Sequence, residues 1–309
     1  MIHPPPENFR LCHYRPITKI HTYFDELNVS ARFCSMREYF PAESFKNKAI
    51  ILPGENNDIL DSNIGGVWVV SLLGDRGMMQ SANYFPLYHI ESNNTPLLKE
   101  GQKEMNVEDG VSDWILKKAR QEVSSKITKE DLFHYVYGFL HSPTYRKKYA
   151  STLTKQAPSI PLVKEAHFWQ YVTIGKELMD LHLDYENQPK LPEVEVSGEE
   201  QGHFQVNKMS YIEGSPTIQF NDYITISNIP AKAYDYLITD KSAIWWVMNQ
   251  YQVNRPQSAH KTKGIPNNPN IYAQEIGNPR YILDLLLSVM TLSVKTIDMI
   301  EELNKINID

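Results

Sequence analysis

Apolar residues recur with two different periods along this chain, and the order in which the periods alternate restricts the fold more than any other feature. Up to about residue 95 they come in short runs bounded by Gly, Pro and Asn, as in KAIILPG, GGVWVVSLLG and NYFPLYHI. Such runs are too short for helices and read as buried strands. Pro86 places the third at an edge or a bulge, because proline cannot donate to an interior ladder. The stretch ESNNTPLLKEGQKEMNVEDG that follows is polar and turn-rich, as a linker is. Helical spacing then begins in SDWILKKARQEV, with Ser112 as N-cap, and in TKEDLFHYVYGFLH, where Thr128 and Asp131 form an imperfect capping box. Leu132, Tyr135, Val136, Phe139 and Leu140 fall on one helical stripe. Ser142-Pro143 ends that helix and starts another, since serine caps well and proline suits the first helical position. WQYVTIGKELMDLHLDYE is a further amphipathic helix. The period drops to two in HFQVNKMSYI, PTIQFN and YITISNI, which read as a small antiparallel sheet joined by EGSP and ND turns. Helices resume in SAIWWVMNQY and in NPRYILDLLLSVMTLSVKTIDMIEEL, the latter with Asn278 as cap and Pro279 at the first position. The expected fold class is α+β: a β-rich subdomain over 1–95, a linker over 96–110, and a helical subdomain over 111–309 with an antiparallel sheet inserted at about 203–228.

A chain of 309 residues can bury two such cores, and 41% hydrophobic with 22% charged residues is an ordinary globular balance. No apolar run approaches the eighteen residues of a membrane span, and MIHPPPENFR lacks the basic and apolar regions of a signal peptide, so a soluble, cytoplasmic protein without a membrane partner is expected. Cys12 and Cys34 have no metal-ligand spacing and read as core thiols. A phosphate loop GxxxxGK[ST], a GxGxxG after a strand, GxSxG and HExxH are all missing. IHPPPENF only approaches the Pro-Pro-aromatic loop of an amino-methyltransferase. His203 near Glu200 and His182 near Asp184 are isolated pairs that read as structural. Neither catalytic residues, nor a cofactor, nor a metal is expected in this segment.

Charge is segregated along the chain despite a net value of −6. Lys117 to Lys155 holds nine bases against three acids, Lys241 to Gln274 holds four bases and no acid, and Asp180 to Tyr223 holds nine acids against two bases. The densest basic point is HSPTYRKKY, a helix-to-helix corner where Tyr145 and Tyr149 are neighbours at i, i+4 and Arg146, Lys147 and Lys148 span most of the remaining circumference. Exposed bases at a helix start suit phosphate; tyrosines in the core beside solvated bases fit the same spacing.

The stretches HYRPI, YFPLY, DGVSDWILKKA, TKEDLFHYVYGFLHSPTYRKKYA, IPLV, GKELMDLHLDYE, ITISNIPAKAYDYL, SAIWWVMNQYQV and NPRYILDLLLSVMTLSVKT run in order from about residue 13 to residue 303. Together they resemble the C-terminal target recognition region of the type ISP single-polypeptide restriction-modification enzymes. The resemblance implies a sequence-specific reader of double-stranded DNA. It implies also that a nuclease, a DNA-translocating ATPase and an adenine methyltransferase precede this segment in the parent polypeptide as its partners. Where the family often has a Gly-rich approach to FPLY, this chain has GDRGMMQSANYFPLY, a difference that would alter the sequence read. In that loop Arg76, Gln80 and Asn83 have the donor-acceptor chemistry for base edges. Phosphate contacts fall to Lys117, Arg120, Arg146, Lys147 and Lys148, then to Arg255, His260, Lys261 and Lys263 in QVNRPQSAHKTKGIPNNPN. A second reading is a structural domain docking the motor onto the methyltransferase, with the acidic segment Glu193 to Glu200 as the docking surface.

Overall fold

The computed structural model describes residues 9–23, 36–53, 66–74, 78, 82–90, 106–153, 158–212, 214–253, 268–306 and 308. The chain divides into two compact units: Met1–Leu183 with Ile238–Asp240 and Asp298–Asp309, and Asp184–Leu237 with Lys241–Ile297. The fold class is α+β, as the alternation of periods implies.

The first unit opens with β1 (Phe9–Arg15), β2 (Thr18–Tyr23) and α1 (Met36–Tyr39). β3 (Ala49–Leu52), β4 (Trp68–Val70), β5 (Leu73–Gly74), β6 (Asn83–Pro86), β7 (Tyr88–Ile90) and β8 (Val107–Asp109) follow. The three apolar runs become β3, β4 with β5, and β6 with β7. β3 and β4 are buried at every position, which is why their sequences do not alternate. They form an antiparallel sheet in the order β4-β3-β6, and Pro86 ends β6 at its edge. β2, β1 and β5 make a second sheet, in which β1 pairs antiparallel with β2 and parallel with β5.

Four helices complete this unit: α2 (Asp113–Glu122), α3 (Lys129–His141), α4 (Pro143–Leu153) and α5 (Glu165–Leu183). The box at the start of α3 closes in both directions, Asp131 N donating to Thr128 Oγ1 at 3.1 Å and Thr128 N to Asp131 Oδ2 at 2.9 Å. α3 is buried on more than its expected stripe, since Phe133, His134, Tyr137, Gly138 and His141 are covered too. Its second face packs on α5 through glycine. A Cβ on Gly138 would lie 2.5 Å from Tyr171 O, and one on Gly175 would lie 2.1 Å from His134 O, so only hydrogen fits at either position.

The domain boundary falls elsewhere than at 96–110. β8, within the expected linker, pairs with β7, and Gly110 N donates to Leu87 O at 2.8 Å. Ile50, Leu52, Val67, Val69 and Leu87 share one apolar cluster with α2, α3 and α5, so strands and helices of the first unit have a common core. The polarity of 91–110 carries no information about which core its flanks join.

The second unit contains β9 (Glu195–Ser197), β10 (Ser210–Tyr211), β11 (Ile218–Gln219) and β12 (Thr225–Ser227), an antiparallel sheet in the order β10-β11-β12-β9. Next along the chain β13 (Leu237–Ile238) and β14 (Lys241–Ser242) pair, followed by α6 (Ala243–Gln250), α7 (Pro269–Glu275) and α8 (Tyr281–Leu303), of which Ile238 and the end of α8 from Asp298 are counted with the first unit. The expected sheet is present but displaced. Residues 203–209 are not a strand, and the acidic stretch supplies β9 instead. α8 starts two residues past Pro279, after a turn in which Tyr281 N donates to Asn278 O. Among the described residues no helix is long and apolar enough to cross a membrane.

Candidate nucleic-acid interface

The corner between α3 and α4 is built from its tyrosines inward. Ser142 Oγ accepts from Tyr145 N at 3.4 Å, which turns the chain into α4 directly after α3 ends. Tyr145 is fully buried, and its hydroxyl donates to Ser159 O at 3.0 Å, while Tyr135 Oη donates to Pro161 O at 2.6 Å. Phe139, Tyr145 and Tyr171 pack ring on ring at 4.8 Å from Phe139 to each of the other two. Burial pushes the Tyr145 hydroxyl up to about 12, so it stays a neutral donor. These tyrosines hold the segment before α5 against α3. They face the core and not a partner.

Arg146 is a correction to the expected phosphate contacts. It is 3% exposed, and its Nε donates to Leu140 O at 2.6 Å. Leu140 lies in the last turn of α3, where carbonyls lack helical partners and the helix dipole is negative. Arg146 therefore caps the preceding helix and is withdrawn from solvent. Lys147 and Lys148, next in sequence, are exposed on α4.

On α2, Ser112 caps through its hydroxyl, accepting from Ile115 N. Lys117 and Arg120 are exposed. Arg120 Nε donates to Ile127 O at 2.7 Å, which fixes its stem along the turn to α3. Lys118 Nζ lies 5.6 Å from the ring centre of Trp114, itself 70% exposed. Lys129, counted among the nine bases of this region, is neutralised: its ammonium is 2.6 Å from both Asp109 and Asp113. Among the described residues, the exposed cations of this region sit on α2 with Lys117 and Arg120, on α4 with Lys147 and Lys148, and in the turn between α2 and α3 with Lys126. Asn83 is exposed at the first position of β6. Arg76, Gln80, Arg255, His260, Lys261 and Lys263 lie outside the described residues.

The two isolated histidines differ in their surroundings. His182 is buried, stacked on Trp68 at 4.7 Å and hydrogen-bonded to Tyr137 Oη at 2.6 Å, with burial holding it well below the usual imidazole range. His203 is exposed beside Tyr223, their ring centres 4.3 Å apart. That pair borders a polar cleft of about 450 Å³ in the second unit, lined by residues from Gly202 to Lys208 and from Asn221 to Tyr223. The sequence pattern does not single this cleft out, because HFQVNKMSYI reads as one strand of the small antiparallel sheet. Among the described residues no group of three or more His, Cys, Asp or Glu is arranged to hold a metal.

Residues 2–285 match the family described as the Type ISP C-terminal specificity domain. The chain belongs to that family. Among solved structures, this specificity domain is similar to the ATP-dependent Type ISP restriction-modification enzyme LlaBIII bound to DNA. That match has 34% identity and a TM-score of 0.83 over 100% of this chain and 19% of that one. It is similar also to a nuclease-deletion mutant of the Type ISP restriction-modification enzyme LlaGI in complex with a DNA substrate mimic, at 33% identity and a TM-score of 0.77, over 100% of this chain and 26% of the other. A DrdV–DNA complex matches at 25% identity and a TM-score of 0.79, over 97% of this chain and 29% of that one. The specificity domain here thus spans less than a third of each of these relatives. No curated protein matches its sequence.

Proposed function

We propose that this specificity domain recognises a short sequence in double-stranded DNA. It would thereby direct adenine methyltransferase and nuclease or translocase activities carried elsewhere in its polypeptide, in the cytoplasm, with no catalysis or cofactor of its own. The observation that carries the reading is the family match over nearly the whole chain, joined to relatives at 34% and 33% identity whose structures contain DNA or a DNA mimic. The exposed cations of α2 and α4 are its physical support. Lysine and arginine on rigid helices supply the sequence-independent affinity that holds a duplex in register. Lys117, Arg120, Lys147 and Lys148 take that role here. Arg255, His260, Lys261 and Lys263 extend it, while Arg76, Gln80 and Asn83 are assigned to base edges.

Equilibrium titration of the chain with a mixed-sequence duplex at several salt concentrations tests this. Each phosphate contact adds about 0.9 to the slope of log affinity against log salt. Changing Lys117, Lys147 and Lys148 together to Gln lowers the slope by up to about 3 and weakens all sequences alike. Unchanged affinity in the triple variant refutes the phosphate assignment.

A further inference from the structure

From His203 to Asn207 the side chains alternate in burial without a strand partner. Val206 and Met209 are buried and Phe204 half-buried, the last with the Arg280 guanidinium 5.6 Å from its ring centre. His203, Gln205, Asn207 and Lys208 are exposed. What holds this backbone is a set of buried amide side chains. Asn221 Nδ2 donates to His203 O at 2.7 Å and to Gln205 O at 3.0 Å. Its Oδ1 accepts from Tyr223 N at 2.9 Å and from Ile224 N at 2.8 Å. Asn270 brackets Val206, accepting from its N and donating to its O, both at 2.8 Å. Val253 N donates to Asn207 O at 3.0 Å. The backbone is thus satisfied from within the second unit, and the outward side chains have fixed origins.

We infer that this cleft reads base edges of duplex DNA, with Gln205 and Asn207 as the discriminating residues and Lys208, Asp222 and the paired rings of His203 and Tyr223 around them. The inference rests on the DNA-recognition reading and adds a second base-reading element to the loop of Arg76, Gln80 and Asn83. A carboxamide offers a donor and an acceptor side by side, the pattern that matches adenine N6 and N7. A lysine suits guanine O6 and N7, and a carboxylate accepts from cytosine N4. The local charge favours base contact over phosphate contact. Asp222 offsets Lys208 in the cleft lining and Glu200 is exposed nearby in sequence, so a phosphate gains little there, whereas neutral amides sort partners by hydrogen-bond pattern. Glu199 is engaged by Arg280, which also binds Asp284 at 2.7 Å, so this carboxylate is already paired within the second unit.

The test is selection of duplexes from a pool with a randomised centre, by the whole chain and by its Gln205→Ala and Asn207→Ala variants, followed by sequencing. Both changes are on exposed side chains, and matched thermal unfolding confirms that the fold is kept. Each variant is expected to lose about tenfold discrimination at one base position, with the other positions and the affinity for unrelated duplex unchanged. A Lys147→Gln/Lys148→Gln variant, in contrast, keeps the parent's base preferences at lower affinity. If the parent enriches a sequence and both cleft variants enrich the same one with equal discrimination, the inference fails while DNA recognition stands. If the parent enriches nothing and binds no duplex at low salt, both fail, and the cleft belongs to a protein contact.

Discussion

Three consecutive bases in HSPTYRKKY have two different fates, and burial separates them. Arg146 points inward because α4 starts two residues after α3 ends and so places its first turn against the last carbonyls of α3, of which Leu140 O takes the guanidinium from within the core. Lys147 and Lys148, on the following positions of α4, remain exposed. Arg146→Met is therefore expected to lower stability by about 1–3 kcal/mol, the usual cost of leaving a buried acceptor unmade, read as a fall of several degrees in Tm. Lys147→Gln should stay within about 0.5 kcal/mol of the parent. Equal effects of the two substitutions would contradict the capping role. The helical wheel in the sequence placed the three bases around most of a circumference and left open which one turns in. That choice depends on the carbonyl ends of α3, which are tertiary neighbours of α4 only once the Ser-Pro corner has formed.

At the level of elements, end signals were legible and pairings were not. Ser112, Thr128 with Asp131 and Ser142-Pro143 each open a helix where local hydrogen bonding says they should. Strands β1, β2 and β9 passed unread, because their sequences mix polar and apolar residues and their stability comes from partners elsewhere in the chain. Residues 203–209 show the opposite failure. Their alternation sorts inner from outer side chains as far as Asn207 and breaks at Lys208, which is exposed, and Met209, which is buried, while Asn221 and Asn270 take the place of a neighbouring strand. The contact of α3 with α5 was equally hidden, since a glycine inside a helix reads only as a small loss of propensity. Its meaning is the near approach of two backbones. Gly138→Ala and Gly175→Ala should each cost about 1–3 kcal/mol through overpacking against a carbonyl that cannot move aside, despite alanine's better helix propensity. Chemical denaturation measures this as a lower midpoint at unchanged slope. A stabilised variant at either position would mean the helices are farther apart than the structure has them.

Across the whole molecule, the buried histidines of the first unit couple its folding to pH. His13 and His141 are fully buried and held down to about 3, chiefly by desolvation of the charged ring, with Lys19 and Arg146 respectively adding repulsion. His182, beside His141, is held well below 6.5 by the same burial. An unfolded chain protonates these rings near 6.5. Between that value and about 3 the unfolded state binds protons that the folded state refuses, so stability is complete above pH 6.5 and declines as pH falls. One unit below the unfolded value, each neutral histidine has cost about 1.4 kcal/mol, and three together about 4 kcal/mol. That is a large share of the roughly 5–15 kcal/mol that holds a typical domain. Carboxylates do not confuse the window, since their unfolded values lie near 4. Urea unfolding at pH 7.5, 6.5 and 5.5 should therefore show a steep loss over the last step. His141→Gln, which keeps a donor for Tyr137 O without a titrating ring, should reduce that loss by about a third. A stability that stays level from pH 7.5 to 5.5 would mean that these rings are reached by water and protonate in the folded chain.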